Sequence, residues 1–164
     1  MIAAENAFLS VVSAAGDLLR GVEILLNQHG LTAAQYNVLR ILRGAGERGA
    51  CGREIAGRLI TVEPDITRLL DRMEKRGLIS RRRDAKDRRC VTARITPSGL
   101  ETLAALDAPV AELHRRQFGK LSGADLTQLT TVLEKLQGSV HELALEGVRT
   151  ESLLSPGFEQ LQPK

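Results

Sequence analysis

A chain of 164 residues has room for one domain, or one domain with a helical extension, and a 43% hydrophobic content excludes disorder as the starting assumption. Aromatic residues make up only 2% and Trp is absent, so the core must come from Leu, Ile, Val and Ala, which favours helices. The net charge of +3 is unevenly held: residues 72–94 carry ten Lys/Arg against three acids, giving +7, while the remaining thirteen basic and seventeen acidic residues give −4; both a polyanion-binding segment and a solvated charged face have that footprint.

From about Glu5 to Gln28, Phe8, Val11, Ala15, Leu18, Val22 and Leu25 recur at heptad spacing, with a second row at Val12, Leu19 and Leu26. This predicts an amphipathic helix with more apolar face than one partner needs, closed near Gly30. Thr32 followed by Gln35 has the form of a capping box, so a second helix should begin there with Tyr36, Leu39, Ile41 and Leu42 inward. Gly44, Gly46, Gly49 and Gly52 then predict a turn-rich break, and Arg53 to Ile60 a short helix with Ile55 and Leu59 one turn apart.

Pro64 sits where a first helical position should be, its φ preset for a helix running to about Arg76 and stopped by Gly77. The inward face of that helix is Ile66, Leu69, Leu70 and Met73; the outward face is Asp65, Thr67, Arg68, Asp71, Arg72 and Lys75, a mixture suited to reading a major groove. Leu78–Arg83 and Arg89–Thr96 predict two short strands around a basic tip, with Val91, Ala93 and Ile95 alternating with Cys90, Thr92 and Arg94. Thr96-Pro97 starts a helix to about Phe118, kinked or broken near Pro109, and Ser122 with Asp125 starts another. In that last helix Leu126, Leu129, Leu133, Leu136 and Val140 form a coiled-coil-like seam, and Ser155-Pro156-Gly157 marks a tail.

Helix, short helix, turn, helix and basic-tipped hairpin, in that order, describe a winged helix-turn-helix: mainly α, with a small β-hairpin wing and terminal dimerisation helices. Residues 31–106 resemble the multiple-antibiotic-resistance regulator (MarR) family, through LTAAQYNVLRIL, TRLLDRMEKRGLI, DAKDRR and ITPSG, and more loosely through LSGADLTQLTTVLEKL. The resemblance implies a triangular homodimer astride double-stranded DNA, with the helix at Pro64–Lys75 in the major groove. It also implies that Arg88 reaches the minor groove, that Asp87 steadies the arginines around it, and that a small, often aromatic or phenolic, effector binds between the dimer helices and the winged domain. The candidate DNA-contacting residues are Pro64, Asp65, Thr67, Arg68 and Arg72 on the helix and Arg83, Lys86, Asp87, Arg88 and Arg89 on the hairpin. Tyr36 and His114 are candidate effector-pocket residues by helix position alone. The corresponding division is 1–30 with 118–147 for dimerisation, 31–97 for DNA binding, 98–147 for the linker and final dimerisation helix, and 148–164 for the tail.

This chain departs from the family where Ile60-Thr61-Val62 replaces the frequent Gly-Val-Ser, leaving the N-cap as Thr61 or an unsatisfied Val62, and where Asp65 replaces a frequent Thr. Glu63 reads as favourable charge at a helix N-terminus; Asp65 either does the same or accepts from a cytosine N4 amine. Redox-sensing relatives carry the reactive cysteine in the first helix, whereas Cys51 and Cys90 lie later, without a clear partner, and read as structural or bystander residues.

His29, His114 and His141 lack metal-ligand spacing, so no metal or other cofactor is implied. No nucleophile motif, phosphate-binding loop or dinucleotide fingerprint is present, which argues against an enzyme. No run approaches the about 18 apolar residues of a membrane span, Glu5 argues against a secretory leader, and two cysteines are too few for a disulfide framework. The expected setting is the cytoplasm, and the expected function a sequence-specific, effector-released regulator, a repressor, on a pseudo-palindromic operator. A non-specific architectural DNA-binding protein is the alternative, and a protein-interaction module a third.

Overall fold

The computed structural model describes residues 2–60, 63–83 and 91–145. In chain order the elements are α1 (Ile2–Gln28), α2 (Ala33–Ala45), a 3₁₀ turn (Gly46–Arg48), β1 (Ala50–Cys51), α3 (Gly52–Arg58), α4 (Ile66–Lys75), β2 (Ile79–Arg83), β3 (Val91–Ile95), α5 (Pro97–Gln117) and α6 (Gly123–Leu145). Met1–Gln117 form one compact unit and the second begins at Phe118. The mainly helical class and the winged helix-turn-helix order follow the sequence expectation.

The first unit is organised around α2. Thr32 Oγ1 accepts from the Gln35 N–H at 3.2 Å and Gln35 Oε1 accepts from the Thr32 N–H at 3.1 Å, so the capping box satisfies two otherwise orphan donors. The inward face of α2 is wider than expected, since Val38 is fully buried beside Tyr36, Leu39, Ile41 and Leu42. Leu26 and Leu31 close this core from the α1 side, Ile55 from α3, Leu69 and Met73 from α4, Ile79 and Ala93 from the sheet, and Leu103 and Leu106 from α5.

The wing is a three-stranded antiparallel sheet in the order β1-β3-β2, not a two-stranded hairpin. Ala93 sits at its centre, opposite Ala50 on one side and Arg81 on the other. The expected glycine break is accordingly shorter: α2 runs through Gly44, and only the 3₁₀ turn separates it from β1. The short third helix begins at Gly52 and ends at Arg58, with Ile55 buried and Leu59 already extended as its C-cap.

Of the kink or break expected at Pro109 the break is absent, since helix α5 runs unbroken through it. Proline removes one N–H, leaving the Ala105 carbonyl without its partner, but Ala105 is exposed and water can serve it. In the second unit Ser122 and Asp125 cap α6 reciprocally, with Ser122 N–H donating to Asp125 Oδ2 at 2.9 Å and Asp125 N–H to Ser122 Oγ at 3.2 Å. On α6 the seam residues Leu126, Leu129, Leu136 and Val140 are exposed and Leu133 half-buried. On α1 only Leu26 is fully buried; Leu18, Val22 and Leu25 are half-buried, while Phe8, Val11, Val12 and Leu19 are exposed.

Candidate nucleic-acid interface

The two helices of the helix-turn-helix are α3 and α4, and each starts on an acidic side chain. In α3, Glu54 accepts from the Cys51 N–H at 2.9 Å and from the Arg48 guanidinium at 2.9 Å, which holds its carboxyl below the usual range. This gives Cys51 a place at the N-cap, in keeping with a structural reading. In α4 the N-cap is Asp65, whose Oδ1 accepts from the Arg68 N–H at 2.9 Å while Oδ2 pairs with Arg68 Nε at 3.0 Å. Pro64 therefore lies in the turn ahead of the helix and not at its first position, a correction to the sequence reading. A side-chain acceptor that reaches the third backbone N–H starts a helix where proline's preset φ only permits one. The other N-cap candidates, Thr61 and Val62, lie outside the described residues.

Around α4 the acids and bases are sorted. Leu69, Leu70 and Met73 are buried and Ile66 half-buried, which turns Thr67, Arg68, Arg72 and Lys75 to solvent. The acids of the same helix do not share that exposure. Glu74 accepts from the Arg81 backbone N–H at 2.9 Å and from Arg81 Nε at 2.9 Å, and Asp71 pairs with the same guanidinium. Burial works against the Arg81 charge, but the hydrogen bonds to Glu74 and Asp71 outweigh it and raise its pKa above the ordinary arginine value. Asp71 was expected on the outward face; the strand arginine draws it aside instead. The result is a polar clamp between α4 and β2 in which one guanidinium is shared by Asp71 and Glu74 and offsets one of their two charges. Arg72 and Lys75, with Arg82 and Arg83 on β2, are exposed and form no ion pair with the described residues.

The sequence reading missed both this clamp and a second contact at the far end of α4, where Arg76 Nη1 donates to Gln35 Oε1 at 3.3 Å. The capping box marked Gln35, but nothing local signals a partner so distant in the chain. The remaining hairpin candidates, Lys86, Asp87, Arg88 and Arg89, lie outside the described residues, as do Cys90 and the tail at 148–164. Of the two effector-pocket candidates, Tyr36 is buried on α2 under the Arg40 guanidinium, 5.7 Å from its ring centroid, and burial raises its pKa. His114 is exposed on α5, with Nδ1 3.1 Å from Gln117 Oε1. A surface cleft of about 500 Å³ lies elsewhere, lined by Arg43, Gly46, Glu47, Arg94, Ile95 and Leu100.

Among the described residues no helix is long and apolar enough to cross a membrane. Comparison with known proteins matches residues 31–91 to the MarR family model. The chain is 32% identical over 108 residues to the HTH-type transcriptional regulator YkoM of Bacillus subtilis, covering 66% of this chain and 69% of that one. It is 26% identical to the transcriptional repressor MprA of Escherichia coli over 83% of this chain and 77% of that one. Its fold superposes on the S. aureus MepR–DNA complex with a TM-score of 0.70 at 25% identity, over 82% of this chain and 96% of that one.

Proposed function

This chain belongs to the MarR family of transcriptional regulators, and from that premise we propose that it is a homodimeric repressor that reads a pseudo-palindromic operator through α4. The observation that carries the reading is the sorting of charge on α4. Its acids are held by Arg81 or by the helix cap, while Thr67, Arg68, Arg72 and Lys75 face solvent together. Short polar groups and guanidinium groups on one helix face suit base edges in the major groove, and Arg82 and Arg83 on β2 suit the flanking phosphates. Asp65 acts as a cap that tethers Arg68. Lys86, Asp87, Arg88 and Arg89 supply the minor-groove arm on the family pattern, and Pro64 sets the turn into α4.

The dimer interface of this reading comprises residues 1–30 and 118–147, and the exposed apolar residues of α1 and of α6, among them Phe8, Val12, Val132 and Leu136, support it. Residues 31–97 then bind DNA and residues 98–117 connect the two regions. A repressor role is supported by the similarity to MprA, and DNA as the partner by the similarity to the MepR–DNA complex. Release by a small-molecule effector follows the family pattern, with Tyr36 and His114 as its contacts by helix position alone, and the cytoplasm is the corresponding compartment.

Titration of a duplex chosen by in vitro selection, against rising random-sequence competitor, tests the reading. A specific regulator keeps about a thousandfold or greater preference for the selected duplex at fixed salt. An architectural DNA-binding protein loses its preference as competitor rises.

A further inference from the structure

We propose that α5 is a strut between the DNA-reading helix and the dimer helix, and that Thr96 and Gln117 are the positioning residues that fix its two ends. Together they set the half-site spacing that the dimer accepts. The inference rests on the reading of α4 as the recognition helix and α1 as a dimer helix.

At the first end, the Thr96 hydroxyl accepts from the Gly99 N–H at 3.0 Å, which is all that capping α5 requires. The same hydroxyl also donates to the Gly77 carbonyl at 2.6 Å, and the Thr96 N–H donates to the Leu78 carbonyl at 3.1 Å. Gly77 follows the C-cap of α4 directly. These two additional bonds join the start of α5 to the exit from α4. No side chain lies between them to absorb a movement, because a Cβ on Gly99 would collide with the Leu78 carbonyl oxygen.

At the other end, Gln117 Nε2 donates to the Leu18 carbonyl of α1 at 3.0 Å. Leu18 lies inside α1, so its carbonyl already has a helical partner, and the amide uses a second lone pair and not an orphan one. Gly21 leaves the space for this approach, since a Cβ there would come within 2.7 Å of Gln117 Nε2. His114 Nδ1 lies 3.1 Å from Gln117 Oε1, which orients the amide with its NH₂ toward α1.

Between these ends α5 extends 21 residues, about 30 Å at 1.5 Å per residue. Leu103, Leu106 and Val110 are buried along it, and Arg43 grips Asp107 with both nitrogens at 2.8–3.0 Å. Neither end can shift without the other. In a dimer the distance between recognition helices is then a property of the strut, and one base pair of added spacing rotates a half-site by about 35°.

The test is a series of duplexes in which the selected inverted half-sites are moved apart or together by one and two base pairs. Wild-type protein should lose about tenfold in affinity per base pair. Thr96→Val and Gln117→Leu should each lose less than about threefold, with Thr96→Ser restoring wild-type discrimination. A purely structural role would lower the melting temperature and leave the spacing profile unmoved. Gln117→Leu acts far from the DNA-reading helix, so it decides the matter if Thr96→Val fails to fold. Wild-type spacing dependence in Gln117→Leu, or in both variants, overturns the strut. Failure of wild-type protein to select any duplex instead removes the reading of α4, and the strut with it.

Discussion

The winged region and the terminal helices are built from similar apolar residues and use them in opposite ways. Across residues 31–110, Leu39, Leu42, Ile55, Met73 and Leu103 are sealed from water by their own chain. On α1, Phe8 is 65% and Val12 53% exposed, and on α6 Val132 is 53% and Leu136 46% exposed. A scattered apolar surface residue is ordinary, but successive ones along two long helices are a face made for contact. The difference teaches that the winged region completes its core alone, whereas the apolar residues of the terminal helices stay open to solvent, as the proposed dimer requires.

The largest effect that would break this comparison comes from acids in the α6 seam. Leu129→Asp together with Leu133→Asp should weaken dimerisation at least about a hundredfold, roughly 2.7 kcal/mol, while the helical content of residues 1–117 persists. Sedimentation velocity reads this directly, and an unchanged dimer would remove α6 from the interface. Next in size, Leu103→Ala should cost about 2–5 kcal/mol by leaving a cavity under α5. Denaturant unfolding measures that loss, and a value below 1 kcal/mol would mean that the core is less sealed than its burial indicates.

A smaller effect sharpens the account of how α4 begins. Asp65→Ala should cost about 1 kcal/mol through the lost cap, with the preferred operator sequence unaltered. Asp65→Asn should recover most of that stability. A changed base preference at one position per half-site, found by comparing selected sequences, would instead give Asp65 a direct reading role.

What the sequence made legible divides along the same line. Local signals located the helices: the Thr32–Gln35 box, the Ser122–Asp125 pair and the spacing of Leu69, Leu70 and Met73 all have their partners within one or two turns. Elements that depend on distant partners were not legible. The strand β1 is two residues long and exists because Ala50 and Cys51 find Ala93 and Thr92, more than forty residues later. At α4, Pro64 was a strong local signal that pointed two residues too early, because the choice of cap depended on where the Asp65 carboxylate could reach. The outward residues Thr67, Arg68, Arg72 and Lys75 were readable from periodicity, whereas the clamp of Asp71 and Glu74 by Arg81 required the fold.

The central claim is that the exposed bases of α4 read sequence. Binding isotherms of wild-type, Arg68→Ala and Arg72→Ala proteins on the selected duplex and on random duplex, each at several salt concentrations, test it most directly. If a guanidinium bonds a base, its removal should cost about 1–3 kcal/mol more on the selected duplex than on the random one. A phosphate contact would weaken both equally and flatten the salt slope by about one. Selective loss is expected in at least one of the two variants, both remaining folded dimers; equal loss on the two duplexes in both variants, or wild-type affinity in both, would contradict the claim.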